Sequence, residues 1–190
     1  PSLFQMSPAE VKATDPHHRL LLQAVHTASM QAGHSRASLL GSSMGMFLGF
    51  CSDSGWGAVQ QGSQVTVYSA HGSGSSAAAG RVSYLFGLKG PCLSVNTACS
   101  SSLVALDAGL ANLWLHRCEA ALVGAVNLQL EPGSWVGLEA LSALAPDGEC
   151  KTFDSRADGF GRSEACGVLL LEQSEAGLVE LCESACNQDG

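Results

Sequence analysis

A short apolar segment that runs straight into a long amphipathic one constrains this chain more than any other feature. Leu93 and Val95 read as the end of a buried strand, and apolar residues then recur at Leu103, Leu106, Leu110 and Leu113 with Ala105, Ala108 and Ala111 between them. That spacing is the period of a helix with one apolar face. Between the two segments lies Asn96-Thr97-Ala98-Cys99-Ser100-Ser101-Ser102, so Cys99 falls at a strand-to-helix junction. Free N–H groups and the positive end of the helix dipole collect at such a place and favour an anion. A thiol there is expected to ionise more readily than usual. The three serines stand where short hydroxyl side chains cap first-turn N–H groups. By spacing alone, a buried structural cysteine in a capped helix fits these residues equally well.

The 190 residues suffice for one domain with a real core. Only 14% are charged, against about 25% in an average domain. Together with 22 glycines, this points to a layered interior with close backbone contacts. The net charge of −8 and the absence of a Lys/Arg cluster argue against a nucleic-acid surface. No apolar run reaches the ~18 residues of a membrane span. The sequence shows no basic-then-apolar leader pattern; a cytoplasmic location is the expectation, with an organelle as the alternative. The chain opens on Pro1 and reads as an internal piece of a longer protein. None of the eight cysteines forms Cys-x-x-Cys, which leaves a zinc site without support. Most are expected to be reduced, buried small hydrophobes.

Along the chain, Ser7-Pro8 gives a turn signal. Asp15 and Pro16 open a helix as N-cap and first residue, with Leu21, Leu22, Val25, Ala28 and Ala32 on its apolar side and Gly33 as its stop. His17 and His18 are adjacent, diverge by about 100° on a helix and cannot share a face, so they read as surface or packing residues rather than metal ligands. Residues 34–44 form a polar connector before a strand at Met44–Phe50. Residues 51–70 suggest an exposed loop, and small residues at 74–80 suggest a closely packed helix ending at Gly87. Ala120–Leu130 reads as a central strand broken by Pro132-Gly133. Residues 134–145 read as a helical or looped wall, Gly167–Glu172 as a buried strand, and Leu178–Gly190 as a further strand. Gly41-Ser42-Ser43-Met44-Gly45 formally matches the hydrolase nucleophile elbow, but it precedes a strand where the elbow must follow one.

The run Asn96–Leu103 closely resembles the nucleophile motif of β-ketoacyl synthases, above all the ketosynthase domains of modular type I polyketide synthases. These usually read Asp-Thr-Ala-Cys-Ser-Ser-Ser-Leu, and Asn96 here takes the place of the Asp. The resemblance extends to Met6–Glu10 and to Asp15-Pro16-His17-His18-Arg19, where the family usually has Asp-Pro-Gln-Gln-Arg. It continues through Gly80-Arg81-Val82-Ser83-Tyr84 and Lys151-Thr152-Phe153-Asp154 to Ala157-Asp158-Gly159-Phe160. At Arg162-Ser163-Glu164-Ala165 two family glycines are replaced, and Asn187-Gln188-Asp189-Gly190 resembles the family's lead into its second half. His71-Gly72-Ser73-Gly74 looks like a catalytic family motif, yet that motif belongs downstream of the nucleophile.

The resemblance implies a thiolase-like layered α/β/α/β/α fold, of which residues 1–190 are the N-terminal half plus the start of the second half, a partial domain truncated at both ends. It implies that Cys99 carries the acyl chain as a thioester and that the complete enzyme condenses it, with decarboxylation, onto a malonyl-type thioester. The substrates ride on the phosphopantetheine of an acyl carrier protein, with no cofactor or metal bound directly, and the complete enzyme is usually a homodimer. The family's two catalytic histidines and its lysine fall beyond Gly190, so this stretch alone is expected not to condense substrates. A fatty-acid-type synthase of the same superfamily is a second enzyme reading. A non-elongating ketosynthase that only holds or transfers acyl chains is the alternative to condensation. Phe153 and Phe160 are candidate acyl-tunnel residues, with a bland core role as the other reading. Lys151 and Arg156 are candidates to meet an acidic carrier protein, with solvated loop charges as the other reading.

Overall fold

The computed structural model describes residues 3–50, 55–60, 66–175 and 177–188. Ser7 caps a short helix, α1 (Pro8–Ala13), by accepting the Glu10 N–H at 3.1 Å. Helix α2 (Pro16–Gln31) starts where Asp15 accepts the His17 N–H at 2.8 Å. It stops at Gly33, whose φ of +83° is the left-handed conformation that glycine adopts without strain. A single turn, α3 (Arg36–Leu39), leads into strand β1 (Gly45–Gly49). Two further single turns, α4 (Trp56–Val59) and α5 (Ser69–Gly72), precede helix α6 (Ser75–Phe86) and strand β2 (Cys92–Val95). A 3-10 turn at Ala98–Ser100 opens helix α7 (Ser101–Trp114). Strand β3 (Ala120–Asn127), helix α8 (Gly133–Ala140) and strand β4 (Ala165–Glu172) complete the order.

The strands form one sheet in the order β2-β1-β3-β4, with β2, β1 and β3 parallel and β4 antiparallel to β3. The chain steps from β1 to β2 in one direction and from β2 across to β3 in the other. Parallel crossovers are right-handed, so the two connecting helices must lie on opposite faces. The two cores show the result. Met46 and Leu48 of β1 join α2 and α6 in one cluster with Leu21, Leu22, Val25, Ala78, Val82 and Leu122. Phe47, pointing the other way, packs with Ala105 and Leu113 of α7 and with Ala121 and Val123. Successive strand residues alternate faces, and β1 is buried along all five residues because both faces are covered. Each fully buried Leu or Phe contributes roughly 1.5–3 kcal/mol relative to exposure.

Several expectations are corrected. The turn at Ser7-Pro8 opens a helix, because Ser7 and Glu10 stand at capping-box spacing. The third strand ends at Asn127 and not at Leu130, since its last ladder partner on β4 is Ala165. Pro132 and Gly133 begin α8 rather than merely breaking a strand. β4 starts at Ala165, not Gly167, and as an edge strand it is half-exposed rather than buried. Residues 177–188 form no strand; this tail is tied to α7 by Ser184 Oγ, which donates to Asp107 Oδ1 at 2.7 Å. Of the expected loop at 51–70, residues 51–54 and 61–65 lie outside the described residues, as do residues 189–190 of the tail.

Candidate active site

Strands β2, β1 and β3 are parallel, so Val95, Gly49 and Asn127 end at one edge of the sheet. Open α/β sheets place their sites at that edge. Cys99 stands there, exposed, in the 3-10 turn between β2 and α7. The turn is tightly braced. Asn96 Oδ1 accepts the Ala98 N–H at 3.1 Å. Ser101 Oγ accepts the Thr97 N–H at 2.8 Å and donates to the Ala98 carbonyl at 2.7 Å. Ser100 Oγ donates to the Thr97 carbonyl at 2.9 Å. The serines therefore stitch the turn together, and no side chain caps α7 at its N-cap, Ser100. The hydroxyls are spent on the turn because Ala98 is held at φ +54°, a conformation costing an L-residue about 1–2 kcal/mol. From below, β1 presses directly on the helix start. A methyl group on Gly49 would sit 2.5 Å from the Ser101 carbonyl carbon.

The adjacent histidines are packing residues, both almost wholly buried. His17 Nδ1 lies 2.7 Å from Asp15 Oδ1, while its Nε2 lies 2.8 Å from the Leu128 amide nitrogen. An amide N–H only donates, so Nε2 is the bare nitrogen and Nδ1–H donates to Asp15. Burial drives the His18 pKa from 6.5 down to about 4; Asp15 opposes the shift, and Arg81 and His17 add to it. Both His rings pack on Phe50, at 5.4 and 5.7 Å between centroids. Of the other histidines, His34 pairs with Glu172 at 2.8 Å at the far end of the sheet, and His71 sits in α5. A groove of about 390 Å³ also opens at that far end, lined by His34, Ser38, Glu119 and Glu172 and not by Cys99. Among the described residues no group of three or more His, Cys, Asp or Glu is placed to hold a metal ion. Residues 41–44 precede β1 and Gly45 is its first residue, so the stretch leads into a strand and no nucleophile elbow forms there.

The cysteines differ from expectation. Among the described ones, Cys118 alone is buried and Cys166 is intermediate, while Cys92, Cys99, Cys150, Cys182 and Cys186 are exposed and all are free. Position explains this: Cys92 lies on the edge strand β2, Cys182 and Cys186 on the tail, and Cys150 in a turn where its sulfur accepts the Gly161 N–H. Burial raises the Cys118 pKa.

The block after α8 turns back onto itself. Lys151 Nζ bonds Asp147 at 2.8 Å and Asp158 at 2.6 Å. These hydrogen bonds raise the Lys151 pKa and lower that of Asp147. Lys151 is thus an internal clamp, whereas Arg156, paired with Asp154, leaves 81% of its side chain exposed. Phe160 is partly exposed and bridges Leu144, with its N–H donating to the Ala143 carbonyl at 3.0 Å. Phe153 is fully exposed at φ +64°, so neither phenylalanine is a core residue here. Sequence reading missed Arg162. Its Nε donates to Gln129 Oε1 at 3.1 Å, and its guanidinium lies over the Trp135 ring at 5.3 Å. Glu164 Oε1 accepts the Gln129 N–H at 2.6 Å. No local pattern signals contacts between residues 33 and 35 positions apart.

This sheet, with helices on both faces and a braced cysteine turn at its parallel edge, is that of the thiolase-like condensing enzymes. The family described as "Beta-ketoacyl synthase, N-terminal domain" matches residues 1–176, and the chain belongs to it. Similar curated proteins are modular polyketide synthases. The erythronolide synthase EryA3 of Saccharopolyspora erythraea is 40% identical over 195 residues, covering 98% of this chain and 6% of that protein. The mycoketide-CoA synthase of Mycobacterium tuberculosis (strain ATCC 25618 / H37Rv) is 42% identical over 197 residues, covering 100% and 5%. Among solved structures, the ketosynthase from module 6 of the bacillaene synthase of Bacillus subtilis 168 superposes with a TM-score of 0.82 at 35% identity. The match covers 91% of this chain and 29% of that one. The oxazolomycin ketosynthase domain OzmH KS7 of Streptomyces albus JA3453 gives 0.80 at 32% identity, covering 93% and 31%. The chain thus spans under a tenth of those two synthases and about 30% of the solved ketosynthase chains. No helix among the described residues is long and apolar enough to cross a membrane.

Proposed function

We propose that Cys99 is the acyl-accepting nucleophile of a polyketide-type β-ketoacyl synthase, and that residues 1–190 are the N-terminal portion of that domain. The observation that carries this reading is the exposed cysteine on a braced, left-handed turn at the parallel edge of the sheet, within the family's motif. The Cys99 thiolate attacks the carbonyl carbon of an acyl-pantetheine thioester. The tetrahedral oxyanion collapses, expels the pantetheine thiolate and leaves the acyl group on Sγ. The Cys99 backbone N–H is the candidate oxyanion donor, because a preorganised amide at that point stabilises charge only as it develops. Condensation follows when a malonyl-type thioester loses carbon dioxide and its enolate carbon attacks the Cys99 thioester, regenerating the thiol. The groups that stabilise that enolate are expected from the remainder of the ketosynthase domain, which works as a homodimer in the cytoplasm with an acyl carrier protein.

The test uses the intact synthase carrying this chain. Wild type should load a radiolabelled acyl group from its pantetheine thioester and release carbon dioxide from malonyl carrier protein. Cys99→Ala should lose acyl loading altogether. Acyl loading that survives Cys99→Ala contradicts the assignment.

A further inference from the structure

We propose that His17 is a positioning residue that fixes where β3 leaves the sheet and thereby sets the wall of the acyl site. The inference rests on the reading of Cys99 as the acylated nucleophile. The β3–β4 ladder ends at Asn127 opposite Ala165, so the next two amides, Leu128 and Gln129, have no strand partner. Both are taken by side chains, one on α2 and one just before β4. His17 Nε2 on α2 accepts the Leu128 N–H at 2.8 Å, and Glu164 Oε1 accepts the Gln129 N–H at 2.6 Å. These two acceptors determine the direction in which residues 128–135 depart. Arg162 then secures the same segment through Gln129 and Trp135.

His17 suits this task because its orientation is fixed at both nitrogens. Asp15, fully buried, accepts the hydrogen bond of Nδ1–H at 2.7 Å and so keeps Nε2 bare toward Leu128. The same ring packs on Phe50, whose N–H donates to the Val95 carbonyl at 3.0 Å. Val95 is the last residue of β2, four residues before Cys99. One imidazole is therefore joined to the exit of β3 on one side and, through Phe50, to the end of β2, the strand that leads into the Cys99 turn, on the other. β2 and β3 are two strand spacings apart, about 10 Å, which is the scale of a medium-length acyl chain.

The experiment compares wild type, His17→Leu and His17→Gln in the intact synthase. Two rates are measured on each: octanoyl transfer from octanoyl-pantetheine to Cys99, and alkylation of Cys99 by iodoacetamide, which is too small to need a wall. His17→Leu should lower kcat/KM for octanoyl transfer at least tenfold, mostly through KM, with alkylation within twofold of wild type. His17→Gln keeps an oxygen acceptor for the Leu128 N–H and should recover octanoyl transfer to within threefold. The proposal is overturned if His17→Leu transfers octanoyl normally, if transfer and alkylation fall together, or if Gln behaves like Leu. Should His17→Leu not fold, His17→Met is read by the same criteria. If neither apolar variant folds while Gln does, His17 serves stability alone and the proposal falls. Absence of acylation on Cys99 in wild type is a distinct result, which removes the underlying reading and this inference with it.

Discussion

Mild acid should destabilise this fold through His18 before it protonates ordinary carboxylates. The ring is about 1% exposed, and neither nitrogen has a hydrogen-bond partner among the described residues. Burial therefore lowers its pKa from 6.5 to about 4. Between those values the unfolded chain binds a proton that the native chain refuses. The stabilisation is complete above pH 6.5 and is lost as the pH falls toward 4. The slope is about 1 kcal/mol per pH unit, below the 2.303RT ceiling of one full proton, and the total loss is about 3 kcal/mol. That is a large share of the 5–15 kcal/mol that typically holds a domain folded. Gln carries no titrating group, so His18→Gln should abolish this component while leaving the carboxylates as they are. The assay is the urea midpoint of the polypeptide carrying this chain, for wild type and His18→Gln, from pH 7.5 to 4.5. The wild-type curve should fall away from the variant's below pH 6.5, with the difference growing by about 1 kcal/mol per unit. Parallel curves would refute the reasoning, because they would mean that His18 takes up its proton equally in both states.

Three further perturbations follow from contacts in the turn and its surroundings. Gly49→Ala places a methyl group 2.5 Å from the Ser101 backbone, so the junction must shift, at a cost of about 1–3 kcal/mol, with a slower Cys99 alkylation rate as the readout. Among the described residues, Asn96 braces the turn through its Oδ1. Asn96→Asp should therefore stay within about 0.5 kcal/mol of wild type while Asn96→Ala loses about 1 kcal/mol in chemical denaturation, the usual worth of one hydrogen bond. Lys151→Met frees Asp147 and Asp158, and limited proteolysis should then cut within residues 147–158 faster than in wild type. Acid should mimic that change in wild type, because Asp147, its pKa lowered by Lys151, gives its stabilisation above its unfolded pKa and loses it as the pH falls through the folded value.

The parts of the fold legible in the sequence were those whose signals are local. Asp15-Pro16 and the apolar spacing to Val25 located α2, Gly33 and Gly87 located two helix ends, and Leu103 to Leu113 located α7. The Ser7 N-cap signal was equally local, but Ser7-Pro8 satisfies both a turn and a cap, and only the buried Ala13 decides for a helix. The tail from Leu178 failed as a strand because an apolar run becomes one only where it pairs: residues 177–188 pair with neither edge strand, β2 or β4, and Ser184 ties the tail to Asp107 of α7 instead. At the site, the position of Cys99 was legible and its bracing was not. Side chains as short as serine serve a cap or a turn equally well, and the left-handed Ala98 chose the turn. The link from His17 to Leu128 spans 111 positions, and the pair becomes neighbours only when α2 packs across the end of β3.

The identity of the acylated atom tests the central claim most directly. The intact synthase carrying this chain is incubated with a chloroacetyl-pantetheine probe, digested, and the adduct is mapped by mass spectrometry. The account predicts a single major adduct on Cys99 Sγ, sparing Cys92, Cys150, Cys182 and Cys186 although they too are exposed in this chain. An adduct spread evenly over the exposed cysteines, or one placed chiefly at Cys118 or on a serine, would contradict it.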